Sequence, residues 1–86
     1  MKGKLMATIE DAINEGRELV LSFAIGDITC GTVSFIPSAI DIGEISVNVY
    51  SERFDFSIDI TDIEYDDFED AFVFPNGESY IQLSAA

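Results

Sequence analysis

Between Ile45 and Ile60 the chain alternates apolar and polar residues with a period of two. Ile45, Val47 and Val49 form one apolar set, and Phe54, Phe56, Ile58 and Ile60 form a second. Successive side chains of a strand point to opposite faces, so this pattern predicts two half-buried strands. A connection through Ser51 and Glu52 pairs Val49 with Phe54 and Val47 with Phe56, which puts both apolar sets on one face. The opposite face then carries Glu44, Ser46, Asn48, Asp55, Ser57 and Asp59, and is anionic by construction.

The earlier part of the chain reads as a helix followed by a hairpin. Thr8 and Asp11 resemble a capping box, Ile9, Ala12 and Ile13 have helical spacing, and Gly16 is a natural stop. These signals predict one short helix over residues 8–15. Leu19, Leu21, Phe23 and Ile25 then alternate along a strand, and Gly26 and Asp27 make a tight-turn dipeptide. The return strand begins in phase with Ile28 and Cys30 but continues with Val33 and Phe35. That odd step predicts a bulge or sharp bend at Gly31, and Pro37 is expected to end the strand.

Residues 61–72 support two readings. Thr61 and Glu64 form a capping box, and Tyr65, Phe68 and Phe72 have helical spacing, which favours a helical turn. Ile60, Ile63 and Tyr65 also fit an irregular strand. Phe74, Pro75, Asn76 and Gly77 predict a turn joining residues 71–74 to residues 79–83 in a last hairpin. The expected fold is therefore α+β: a short N-terminal helix, then a bent antiparallel meander or small barrel of about five to six strands. One domain over residues 1–86 accounts for the whole chain, with residues 1–7 as a flexible lead-in.

Charge changes this picture more than length does. The 86 residues include 17 acidic and only four basic side chains, Lys2, Lys4, Arg17 and Arg53, for a net charge of −13. Self-repulsion of this size says more about partners than about fold. Nucleic-acid and anionic-membrane binding depend on Lys and Arg, so neither is expected. With 48% hydrophobic residues the chain has material for a core and is not a disordered acidic tail. No window approaches the roughly 18 apolar residues of a membrane span. Cys30 is the sole cysteine, so no intrachain disulfide forms, which fits a reducing cytoplasm.

Two resemblances add to this reading. Residues 18–33, with Gly26 and Asp27 at the turn and Gly31 at the bend, together with residues 58–63, resemble the first strand pair and closing strands of Sm-like and SH3-like barrels. That likeness implies a small barrel whose open strand edges pair into a homo-oligomer with a structural or small-ligand role. The basic loops with which Sm-like proteins bind RNA have no counterpart here. In size, acidity, and order of helix, strands and terminal hairpin around Asn76, Gly77 and Glu78, the chain is also similar to small phage inhibitors that imitate DNA. These include the uracil-DNA glycosylase inhibitor and several anti-CRISPR proteins. This second likeness implies an acidic protein that acts in the cytoplasm of a bacterial host.

Candidate chemistry is concentrated in one segment. Asp55, Asp59, Asp62, Glu64, Asp66, Asp67, Glu69 and Asp70 place eight acids within sixteen residues, with no base among them. Asp62, Glu64 and Asp66 alternate as calcium-loop ligands do, but the required glycine is Asp67 and the twelfth position is Val73, so no metal or cofactor is expected. Without histidine or a Gly-rich phosphate loop, the usual nucleophile and base arrangements are absent and no enzyme activity is expected. The remaining reading is a partner-binding face made of Glu44, the eight acids and Tyr65. The expected partner is a basic nucleic-acid-binding protein, met by a monomer or a small homo-oligomer.

Overall fold

The computed structural model describes residues 1–85. Helix α1 spans Lys2–Glu15 and begins six residues before Thr8, so Thr8 does not cap it. Residues 2–7, within the stretch expected above as a flexible lead-in, supply its first turns, and the side chain of Leu5 is fully buried. Leu5, Ile9 and Ala12 lie four and three residues apart, which puts them on one helical stripe facing the core. The helix ends in a Schellman motif. Gly16 adopts φ 64°, its N–H donates to the carbonyl of Ile13, and the N–H of Arg17 donates to the carbonyl of Ala12 at 2.9 Å.

Among the described residues eight strands follow: β1 (Leu19–Ile25), β2 (Ile28–Phe35), β3 (Pro37–Ile42), β4 (Ser46–Ser51), β5 (Asp55–Asp59), β6 (Glu64–Asp66), β7 (Ala71–Asn76) and β8 (Ser79–Ala85). They form two antiparallel sheets, a five-stranded one in the order β2-β1-β8-β7-β6 and a three-stranded one in the order β3-β4-β5. The expected helix and antiparallel strands are present. The barrel is not closed, and there are eight strands where about five to six were expected.

The hairpin of β1 and β2 has the predicted irregularity. Phe23 pairs with Gly31 and Ala24 with Thr29, so Cys30 is the extra residue of a bulge. Gly26 at the turn takes φ 58°, as a primed hairpin turn requires. Pro37 opens β3 rather than only ending β2, a position where its missing N–H costs no ladder bond.

Three other details differ from expectation. Between β4 and β5, Val49 pairs with Phe56 and Val47 with Ile58, two residues beyond the expected register. The connection is longer because Ser51 and Phe54 bond to each other through the Ser51 N–H and hydroxyl. A two-residue shift keeps every side chain on its face, so the apolar and polar sets are as predicted.

Residues 61–72 contain no helix. Tyr65 pairs with Phe72 across the hairpin of β6 and β7, with ring centroids 5.2 Å apart. A spacing of seven fits two helical turns, and it equally fits a hairpin with four residues in the turn. The last turn is Gly77 and Glu78, with Gly77 at φ 66°, so Pro75 lies within β7. On that side β6 reaches only as far as Val73, so no strand asks Pro75 for an N–H.

The core lies between the sheets and under α1. Leu19, Leu21, Phe72, Phe74 and Leu83 come from the larger sheet, and Val47, Val49 and Ile58 from the smaller. Phe35 at the end of β2 stands edge-on to Phe54 and Phe56, at 5.5 and 5.3 Å, and so ties one sheet to the other. No helix among the described residues is long and apolar enough to cross a membrane.

Candidate functional site

The acids from Asp55 to Asp70 fall on two surfaces joined by the β5–β6 connection. Asp55, Ser57 and Asp59 alternate along the outer face of β5, opposite Tyr50, Asn48 and Ser46 of β4. Alternate residues on a strand are about 6.6–6.8 Å apart, so Asp55 and Asp59 begin and end a row about 13 Å long. Asp41 joins this face because β3 pairs it with Asn48. The sequence reading missed Asp41 because it had no strand after Pro37. The inward alternation of Ile40 and Ile42 around it was the available signal. Glu44 lies in the bend between β3 and β4 and is exposed.

The second surface is β6 with its turn. Glu64 and Asp66 flank Tyr65 on this three-residue strand, and alternation sends both away from the core-facing tyrosine. Asp67, Phe68, Glu69 and Asp70 form the turn to β7. Asp66 organises it, because its Oδ1 accepts bonds from the N–H groups of Phe68 at 3.0 Å and Glu69 at 3.2 Å. Asp70 completes the turn at φ 53°, a left-handed conformation that Asp tolerates. Asp66 and Glu69 border an open depression floored by Thr29, Val73, Tyr80 and Gln82.

Asp62 lies in the turn linking the two surfaces, beside Thr61. Here Asp59 Oδ1 accepts bonds from the Thr61 hydroxyl at 2.6 Å and the Thr61 N–H at 2.8 Å. Both bonds favour the ionised carboxylate. The hydroxyl contributes most, and together they hold the Asp59 pKa below the ordinary aspartate value.

Tyr65, grouped with the acids from sequence, turns inward. It is half-buried on Phe72, and the Lys4 ammonium sits 3.5 Å from its ring centroid. The exposed aromatic of this segment is Phe68, 94% accessible at the tip of the acidic turn. Its place in the four-residue turn of the β6–β7 hairpin turns it out.

None of the four basic residues lies in a strand. Lys2 and Lys4 are on α1, Arg17 follows the helix and pairs with Glu15, and Arg53 is in the β4–β5 connection. Both outer sheet faces therefore present carboxylates, hydroxyls and amides with no strand-borne cation among the described residues. Such rows accept hydrogen bonds from guanidinium and ammonium groups. Among the described residues no group of three or more acidic or Cys side chains is gathered as a metal would need, and Asp62 is separated in its turn from Glu64 and Asp66. Comparison with protein-family models, curated proteins and solved structures returns no match for this chain.

Proposed function

We propose that the protein is a non-enzymatic inhibitor that binds a basic protein partner as DNA does, by occupying its nucleic-acid-binding groove. The partner class is a CRISPR effector or another nuclease of phage defence. The observation that carries this reading is the run of carboxylates without a base on both outer sheet faces and on the β6–β7 turn, whereas the helix and its flank mix Lys2, Lys4 and Arg17 with Glu10, Asp11, Glu15 and Glu18. A duplex carries about one charge per 1.7 Å of axis. The strand rows are sparser than that, but the turn, with Asp66, Asp67, Glu69 and Asp70 in five residues, concentrates charge locally. Phe68 at its tip supplies an apolar contact of the kind that anchors protein interfaces.

The test is affinity capture from bacterial lysate with the native protein and with a variant in which Asp66, Asp67, Glu69 and Asp70 become Lys, each washed across a salt series. Retention of a nucleic-acid-binding protein by the native chain alone, with its release by salt and loss of that partner's nuclease activity, supports the reading. A charge-reversed variant that still blocks the partner at physiological salt overturns it.

A further inference from the structure

We propose that the inner face of the larger sheet, where it runs on beyond the smaller one, is a docking shelf for a basic amphipathic helix of another protein. The shelf lies at the opposite end of β7 from the acidic β6–β7 turn, and the inference does not depend on the inhibitor reading. Alternation along β1 puts Phe23 and Ile25 on the same side as the buried Leu19 and Leu21. Cross-strand pairing extends that side into two rows. Phe74, Ile81 and Phe23 form the first, and Asn76, Ser79, Ile25 and Ile28 form the second. These positions have the parity of the core, yet Phe23 is 43% exposed, Ile25 56% and Ile28 71%. Three large apolar side chains left uncovered together on a core face mark an interaction surface.

The shelf continues into a cavity of about 420 Å³. Ile81 and Phe74 of the first row line it together with Ile58 of β5, and so do the exposed Asp59 and Asp62. Asp27 and Glu78 occupy the two turns next to the second row. These turns adjoin, because the Gly26 N–H donates to the Glu78 carbonyl at 3.0 Å. Among the described residues β1, β2, β7, β8 and the turns between them carry no base. The apolar rows are thus bounded by acids on two sides.

Charge and backbone chemistry select the occupant. A second copy brings the same acidic rim and is repelled, as is an anionic membrane. A partner with an apolar stripe flanked by Lys and Arg places its apolar residues on the rows and its cations against Asp27, Asp59, Asp62 and Glu78. The N–H and C=O groups of β1 and β8 are paired with neighbouring strands, so the shelf offers side chains alone. A segment that covers it must satisfy its own backbone groups, as a helix does. The rows cross four strands, three spacings or about 14 Å, which is the length of about nine helical residues. A lysine or arginine at the helix end reaches the cavity, with its methylene stem against Ile58, Phe74 and Ile81 and its charge at Asp59 and Asp62.

Amide NMR titration of the full chain tests this. The probe is a blocked peptide of Leu, Lys and Ala, about 18 residues and so long enough to form a helix, with its leucines on one helical stripe. One control has the same composition scrambled to remove the stripe, and another has Glu in place of every Lys. The ordered basic peptide is expected to shift the amides of residues 23–28 and 74–81 and to bind at least about tenfold more tightly than the scrambled one. The acidic peptide should not bind. Ile25→Ser/Ile28→Ser should lose about tenfold in affinity with an unchanged circular dichroism spectrum. Asp27→Asn/Asp62→Asn leaves the apolar rows intact and should lose about two- to fivefold. The variant with Asp66, Asp67, Glu69 and Asp70 changed to Lys, which loses its partner on the inhibitor reading, should still show the same amides shifting. Equal affinity for ordered and scrambled peptides, shifts confined to residues 55–70, or a serine variant that binds as the native chain does would each overturn the proposal. Shifts of residues 23–28 on raising protein concentration without peptide make a second copy the occupant and overturn it too.

Discussion

The ammonium of Lys4 sits 3.5 Å above the ring centroid of Tyr65, joining the first turn of α1 to the short strand β6. One of only four cations thus covers the aromatic at the centre of an acidic strand. Removing Lys4 alone has two opposing effects, since a cation near a helix N-terminus is itself unfavourable. A double-mutant cycle of Lys4→Met and Tyr65→Leu separates them. Urea denaturation should give a coupling energy of about 0.5–1 kcal/mol, the range for an exposed cation–π pair.

Phe68 and Phe72 are four residues apart, and the hairpin gives them opposite fates. Phe68 is 94% exposed and Phe72 3%. Phe68→Ser should change stability by no more than about 0.5 kcal/mol, whereas Phe72→Ala should cost about 3–5 kcal/mol. Equal losses in chemical denaturation would restore the helical reading of residues 61–72, in which both rings share a face.

The Asp59–Thr61 contact has a defined pH signature. Because folding lowers the Asp59 pKa, the contact's contribution is present above the unfolded aspartate value, about 3.9, and is lost as pH falls through the lower folded value. Thr61→Val deletes the hydroxyl bond and keeps the backbone one. Carboxyl-carbon NMR titration should then show the Asp59 pKa rising part of the way towards an ordinary aspartate.

A net charge of −13 on 86 residues destabilises the compact state by repulsion, and salt screens it. Calorimetry should show Tm rising as NaCl increases from ~0.02 to ~0.5 M, a range over which the Debye length shortens from about 20 Å to 4–5 Å. The same series should weaken capture of a basic partner, so stability and binding should respond to salt in opposite directions.

The elements that read correctly from sequence are those specified by neighbours a few residues apart. The faces of β4 and β5 survived a two-residue error in register because alternation has a period of two. The bulge beside Gly31 was legible because the apolar phase changes within one strand. Residues 61–72 were ambiguous because a seven-residue spacing satisfies a helix and a hairpin alike. The three-residue strand β6 exists because β7 offers it a partner, and such pairing has no local signature.

The sequence by itself determined the charge, the anionic face of β4 and β5, and the helix stop at Gly16, since each follows from residue identity and spacing alone. Only the tertiary structure decided that the strands form two sheets rather than a closed barrel. It also decided that Asp41 joins the acidic face, that Tyr65 turns inward while Phe68 turns out, and that β2 is an edge strand. These depend on which distant strands meet, and contacts between residues far apart in the chain come from packing that no short window of sequence contains.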